Sequence, residues 1–90
     1  MRSEAVFEVV NQRGLHARAA SKLVQLASSF ACDIEVSRDG QAANAKSVMG
    51  VLLLCGSMGS LLRFVADGTD APVAIQAIGE LIESKFGEEA

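Results

Sequence analysis

The segment from Ala5 to Val10 predicts a β-strand, with Ala5, Phe7 and Val9 on one face and Glu8 on the other. Apolar and polar residues alternate from Cys32 to Val36, and this period of two predicts a second strand with one buried face. The dipeptide Asp39-Gly40 follows the second segment and supplies the positive-φ residues of a two-residue hairpin turn. We therefore expect a short return strand after this turn and a fourth strand later in the chain. The predicted bounds of these two strands are Gln41 to Asn44 and Leu61 to Ala66.

Between the strands, the apolar spacing changes to the i, i+3, i+4 pattern of amphipathic helices. The first such stripe follows Ala17, and the last one starts at Asp70 and ends at Gly87. A short helix is expected between these two, after Ser47, which is a typical N-cap residue. Glycines at 56 and 59 end it. The stripe residues are Ala20, Leu23, Val24, Ala27 and Phe30 in the first helix, and Ala74, Ile75, Ile78, Leu81, Ile82 and Phe86 in the last.

The element order βαββαβα predicts a single α+β domain over residues 1–90. Strands with one buried face and helices with matching apolar stripes imply an open-faced two-layer sandwich. Because the connections are short, an antiparallel sheet is favoured over a parallel one. We expect a four-stranded antiparallel sheet covered on one face by three helices, an architecture that serves many unrelated functions.

Charge and hydropathy exclude two classes of partner. The net charge of −3 argues against nucleic acid, since duplex affinity comes mainly from Lys and Arg that neutralise phosphates. The longest apolar run, from Val48 to Cys55, is far shorter than the roughly 20 residues that span a bilayer. The first four residues also lack the features of a signal peptide. We therefore expect a cytoplasmic protein with no membrane insertion.

The two cysteines do not suggest a metal site. Cys32 and Cys55 lack the spacing of metal ligands, and the only histidine lies far from both in sequence. The sequence therefore predicts no bound metal, and we interpret both cysteines as buried, reduced thiols.

That single histidine, His16, lies in the turn between the first strand and the first helix. Imidazole changes charge near neutral pH, so a ring nitrogen with a free lone pair is available as a nucleophile. The helix N-terminus would stabilise an attached phosphoryl group, and Arg18 can offer a planar fork of donors to its oxygens. In the alternative interpretation, His16 is a capping or surface residue and Arg18 is a solvated side chain.

No nucleotide-binding motif accompanies this histidine. The chain has no G-x-x-x-x-G-K-S/T loop, no G-x-G-x-x-G and no Ser/His/Asp set. A phosphoryl group on His16 would therefore have to come from another protein.

Two segments resemble signature motifs of the HPr family, the histidine-containing phosphocarriers of the bacterial phosphotransferase system. The spacing of the two motifs and the βαββαβα order also agree, so the resemblance covers essentially the whole chain. The family motif usually has proline where this chain has Ala19, and alanine should preserve the helix while adding one N–H at its start. The segments are Asn11, Gly14-Leu15-His16-Ala17-Arg18 and Ala20, and Asn44-Ala45-Lys46-Ser47-Val48-Met49-Gly50-Val51.

The resemblance implies that His16 accepts a phosphoryl group on Nδ1 from enzyme I and donates it to a histidine of a IIA component. Arg18 would steady the phosphate, no cofactor would be needed, and the chain would be a stoichiometric carrier rather than a free-standing enzyme. A dedicated serine kinase/phosphorylase would act on Ser47 in a regulated member, although plain N-capping also explains this serine. The implied docking residues are Ala17, Ala20, Val48, Met49 and Leu52, and core packing is the alternative for the last three.

Other functions stay open on the sequence alone. The chain could be a regulatory HPr-like module whose phosphorylation state is read by a kinase or a transcription factor, without sugar flux. A small-molecule-binding sandwich would need a pocket that the sequence does not reveal. For a carrier, the sequence does not distinguish sugar transport from a regulatory, nitrogen-type branch.

Overall fold

A computed structural model of the protein describes residues 1–90 and confirms the predicted order of strands and helices. None of its helices combines the length and the apolar character that a membrane span requires. In chain order the elements are β1 (Arg2–Glu8), α1 (Ala17–Ser28), β2 (Asp33–Arg38), β3 (Gln41–Asn44), α2 (Val48–Leu53), β4 (Leu61–Asp67), α3 (Ala71–Glu83) and a 3-10 helix (Lys85–Gly87).

The four strands form one antiparallel sheet in the order β1-β4-β2-β3. The predicted hairpin joins β2 to β3, with Asp39 at φ 49° and Gly40 at φ 84°. Both angles lie in the left-handed region that a two-residue hairpin turn of this kind requires. The sheet and the three helices together confirm the predicted open-faced sandwich.

One core of 22 buried residues fills the space between the sheet and the helices. Helix α1 buries its predicted stripe at Ala20, Leu23, Val24 and Ala27, whereas Phe30 beyond its end is only partly buried. The burial of these positions explains why a helix with no acidic residue in its first turn and no basic residue in its last is stable in this protein.

Helix α3 approaches β1 closely at Gly79. A Cβ atom at this position would lie 2.7 Å from the ring of Phe7, which is well inside contact distance. Only glycine allows the helix to pack this close to the strand. The predicted stripe of α3 is buried at Ala74, Ile75, Ile78 and Ile82, with Leu81 partly buried.

Strand β1 extends further toward the N-terminus than predicted, since it begins at Arg2 rather than at Ala5 and ends at Glu8. Its first residues are polar, and their stabilising contacts lie across the sheet. The Arg63 guanidinium donates to the Glu4 carboxylate at 2.7 Å on the exposed side of β1 and β4. A hydrophobic pattern does not detect a strand segment that is held by such cross-strand pairs.

The last helix ends earlier than predicted. Helix α3 stops at Glu83, and then Lys85, Phe86 and Gly87 have φ values of 60°, 55° and 79°. The left-handed conformation costs a non-glycine residue about 1–2 kcal/mol. Phe86 is fully buried here, so the predicted stripe residue belongs to the core although it lies outside α3. Its burial holds a turn that redirects the C-terminal residues.

Asp70 stands at the N-cap position of α3, but its side chain makes no capping hydrogen bond. Its carboxylate instead accepts the N–H groups of Ala31 at 2.8 Å and of Cys32 at 2.9 Å. The bond from Ala31 is the main reason why the pKa of Asp70 lies below its ordinary value. This carboxylate therefore ties the start of α3 to the residues that precede β2.

The prediction of two buried thiols is correct for Cys32 and wrong for Cys55. Both cysteines are free; Cys32 is buried, and burial raises the pKa of its thiol. Cys55 is exposed and follows Leu54, the C-cap of α2, with a φ of 53°. A left-handed residue commonly ends a helix, and here it is Cys55 rather than the glycine at 56.

We predict that Phe86→Ala lowers the free energy of unfolding by about 3–5 kcal/mol, because it leaves a cavity in place of a buried ring. Val73→Ala is a suitable control, since Val73 lies on α3 and is 61% exposed. The control should change stability by less than about 0.5 kcal/mol. Urea unfolding measures both values, and similar losses in the two variants would contradict the anchoring role of Phe86.

We also predict that Asp70→Asn lowers the melting temperature at pH 6 and that this deficit shrinks at pH 3. A carboxyl group whose folded-state pKa is depressed contributes stability above its unfolded pKa, which is about 3.9 for Asp. The contribution is lost as the pH falls through the lower folded-state value. Glu83→Gln is the control, since Glu83 is exposed at the end of α3. A deficit that does not depend on pH would show that charge on Asp70 is irrelevant.

Candidate functional site

The turn before α1 is built on Gly14, which has a φ of 64°. A Cβ atom at Gly14 would lie 2.5 Å from the carbonyl oxygen of Gly56, so both the backbone angle and the available space require glycine. The same carbonyl accepts the N–H of Leu15 at 2.8 Å. The segment after α2 therefore supports the residue that precedes His16.

His16 is the N-cap of α1. Its backbone is extended, its carbonyl accepts the N–H of Ala20 at 2.9 Å, and its ring Nδ1 accepts the N–H of Arg18 at 3.3 Å. Nδ1 thus faces the N-terminus of the helix, where unpaired N–H groups and the helix dipole favour an anion. The side chain is 19% exposed, which makes this a surface site and not a deep pocket.

The other ring nitrogen of His16, Nε2, contacts Oε2 of Glu88 near the C-terminus. The second oxygen of that carboxylate accepts a hydrogen bond from Nδ2 of Asn11 at 2.9 Å, and Nδ2 also donates to the Gly14 carbonyl at 2.9 Å. The pKa of Glu88 lies below its ordinary value, mainly because of the hydrogen bond from His16 and then because of the one from Asn11. Glu88 is therefore an ionised carboxylate at neutral pH.

The C-terminal tail, residues 85–90, lies across the site because it is fastened on both sides of Glu88. The Lys22 ammonium group donates to the Phe86 carbonyl at 2.7 Å. Beyond Glu88, the Gln12 N–H donates to the Ala90 carbonyl at 3.1 Å. Glu88 is not among the predicted site residues, since no motif surrounds this acidic residue and its partner His16 is 72 positions away in sequence.

Arg18 is exposed, and its guanidinium has no hydrogen-bond or salt-bridge partner in the structure, although its backbone N–H contacts Nδ1 of His16. The fold therefore places the two predicted residues in one helical turn. The guanidinium is available to an anion bound on the Nδ1 side of the ring.

Ala17, Ala19 and Ala20 have different positions in the first turn of α1. Ala19 is fully buried, and α1 begins at Ala17 without the proline that the family motif usually has. Ala20 is fully buried as well, so its predicted role as a docking residue is wrong, because it has no surface for a partner. Ala17 is exposed next to His16, and its docking role stays a prediction.

Helix α2 presents three apolar side chains to solvent: Val48 is 40% exposed, and Met49 and Leu53 are each 68% exposed. We call Val48, Met49 and Leu53 the α2 patch. Leu52 is partly buried and packs against the core, which matches the core-packing alternative for this predicted docking residue. The sequence missed Leu53 because α2 is apolar throughout, and such a pattern does not indicate which side faces solvent.

Ser47 is the N-cap of α2, as predicted, and its Oγ accepts the N–H of Gly50 at 3.1 Å. The opposite end of α2 leads to Gly56, which contacts the residue before His16. Six helical residues separate the two ends, about 9 Å at the α-helical rise. Along α2, the α2 patch therefore lies between Ser47 and the end that leads to the turn before His16.

Comparison with known proteins agrees with this geometry. The family model described as the PTS HPr component phosphorylation site matches residues 3–84. This chain belongs to the HPr family. It is similar to the phosphocarrier protein HPr of Xylella fastidiosa (strain Temecula1), with 48% identity over 81 residues that cover 90% of this chain and 91% of that protein.

Other relatives define the breadth of the HPr match. A phosphocarrier protein NPr of Shewanella violacea is 42% identical over 80 residues, covering 89% of this chain and 88% of that protein. The crystal structure of HPr-C-His from Thermoanaerobacter tengcongensis has a TM-score of 0.94 and 46% identity, covering 98% of this chain and 99% of that one. These matches confirm the predicted family and fold, and they support a phosphocarrier role in the phosphotransferase system.

Proposed function

We propose that this protein carries a phosphoryl group on Nδ1 of His16, which it receives from enzyme I and passes to a histidine of a IIA component. The observation that carries the proposal is the direction of Nδ1, which faces the N-terminus of α1 and accepts the backbone N–H of Arg18. Membership of the HPr family supports the same assignment. The carrier is the whole of residues 1–90 acting as one cytoplasmic domain.

Phosphoryl transfer depends more on the positioning of the reacting groups and on charge stabilisation than on covalent chemistry by the protein. The N-terminal N–H groups of α1 and the Arg18 guanidinium supply donors for the phosphate oxygens. A partly exposed histidine with few contacts to its phosphoryl group also favours release of that group, because the next partner must reach the same phosphorus atom. The proposal requires no cofactor and no turnover of a small substrate.

Docking is the second part of the proposal. Successive partners would dock on the exposed apolar side chains of the α2 patch and on Ala17, the exposed residue that follows His16. Exposed apolar clusters of this kind commonly mark protein interfaces. Enzyme I and a IIA component would cover the same patch in turn, so the carrier would bind one of them at a time.

Ser47 is the proposed regulatory site, on which a serine kinase/phosphorylase would act. A phosphate on its Oγ would stand at the N-terminus of α2, where the helix tolerates negative charge. It would also place that charge next to the α2 patch and weaken the docking of apolar partners. Regulation and N-capping by Ser47 are therefore compatible.

A second candidate is a regulatory HPr-like module, which a kinase or a transcription factor would read without sugar flux. For a carrier, a regulatory, nitrogen-type branch stays the alternative to sugar transport, and the relatives include proteins named HPr and one named NPr. Transfer assays distinguish the branches, since the phosphorylated chain is offered separately to a sugar-type and to a nitrogen-type IIA component. The preferred acceptor identifies the branch, and transfer to neither favours the regulatory module.

The direct test is ³¹P NMR of the protein incubated with enzyme I and phosphoenolpyruvate. We expect an acid-labile phosphohistidine signal in the wild type and none in His16→Ala. A folded wild-type protein that gains no phosphoryl group, or a His16→Ala variant that still does, would refute the proposed carrier function.

We predict that Arg18→Ala slows phosphorylation of His16 about tenfold, since charge-assisted hydrogen bonds to the phosphate contribute roughly this much. The melting temperature should stay unchanged, because the guanidinium has no partner in the folded protein. Arg13→Ala is the matched control, an exposed arginine in the same turn. Equal rates in the two variants would show that Arg18 has no special role.

A further inference from the structure

The C-terminal tail, residues 85–90, follows the segment that the family model matches. It places the Glu88 carboxylate against Nε2 of the His16 ring. We propose that Glu88 is a positioning residue, which holds the ring through Nε2 so that the Nδ1 lone pair points at the incoming phosphoryl group. This inference rests on the proposed function, because that function gives Nδ1 its role.

The two contacts of the His16 ring select one tautomer. The ionised carboxylate of Glu88 can only accept, so Nε2 must carry the proton. Nδ1 accepts the backbone N–H of Arg18, so it must carry the lone pair. Both contacts are satisfied only by a ring that is protonated on Nε2 and nucleophilic on Nδ1. The tail and the helix therefore prepare the same nitrogen for attack.

The carboxylate of Glu88 also compensates the charge that the reaction creates. When the Nδ1 lone pair forms the N–P bond, the bond from phosphorus to the donor breaks and its electron pair leaves with the donor. The ring becomes cationic and shares this charge with Nε2–H, one hydrogen bond from the carboxylate. On transfer to the acceptor, the N–P bond breaks and its electron pair returns to Nδ1. A fixed carboxylate stabilises the cationic ring in both directions.

The fold holds Glu88 in place at a cost in stability. Asn11 is fully buried and donates to the carboxylate, while its Oδ1 has no hydrogen-bond partner. Lys85 and Phe86 are both left-handed, a conformation that persists only where the surroundings enforce it. The side chain of Glu88 is just 12% exposed. Unsatisfied and strained groups that converge on one carboxylate indicate a functional position.

The first experiment observes the His16 ring in the unphosphorylated protein by ¹H–¹⁵N NMR. We compare the wild type with Glu88→Ala, Glu88→Gln and the control Glu89→Gln, which removes an exposed charge from the neighbouring position. A downfield, slowly exchanging Nε2 proton should be visible in the wild type and in Glu89→Gln. It should disappear in Glu88→Ala and move upfield in Glu88→Gln, whose amide oxygen accepts without charge.

The second experiment measures phosphorylation of His16 by enzyme I in the same four proteins. Glu88→Ala should be about tenfold slower than the wild type, Glu88→Gln should be intermediate, and Glu89→Gln should be unchanged. The graded rescue by Gln separates a role in ring chemistry from loss of the tail. If the ring proton persists and the rate is unchanged in Glu88→Ala, the positioning role is wrong.

The two experiments separate this inference from the proposed function. A wild-type protein that shows the Nε2 proton but gains no phosphoryl group would refute the carrier function and leave the contact with Glu88 established. A wild-type protein that is phosphorylated without an observable dependence of the ring or the rate on Glu88 would overturn the positioning role alone. Should Glu88→Ala fail to fold, Glu88→Gln gives the same comparison.

Discussion

The carbonyl of His16 accepts the N–H of Ala20, and this first hydrogen bond of α1 determines where the helix begins. Because the helix begins there, the ring of the N-cap residue turns Nδ1 toward the free N–H groups of the first turn. A helix that began one turn later would leave the imidazole in a loop, without the positive end of the dipole. The candidate chemistry therefore depends on the position of one helix terminus.

Packing maintains that terminus from two directions. Gly14 lies so close to the carbonyl of Gly56 that no side chain fits, and this contact joins the histidine turn to the end of α2. On the other side, the C-terminal tail runs past the ring because Phe86 is buried and its carbonyl binds Lys22. His16, the segment after α2 and the tail carboxylate are thus held together by these contacts.

Patterns of neighbouring residues predicted much of this structure, because many of its turns and helix ends depend on residues that are close in sequence. The hairpin at Asp39-Gly40, the N-cap at Ser47 and the histidine at the start of α1 all follow from neighbouring residues. The pattern failed where the deciding contact is distant, as for Glu88, whose partners Asn11 and His16 lie 77 and 72 positions away. It also failed where every residue is apolar, as in α2, and composition alone did not reveal which side chains face solvent.

The central claim is that Nδ1, and not Nε2, is the atom of His16 that carries phosphorus. The most direct measurement is heteronuclear NMR of the phosphorylated protein with ¹⁵N-labelled histidine, in which the one-bond coupling between ³¹P and ¹⁵N identifies the bonded nitrogen. The structure predicts coupling to Nδ1, since Nε2 is engaged by Glu88. Coupling to Nε2, or phosphorus bonded to a residue other than His16, would contradict the account.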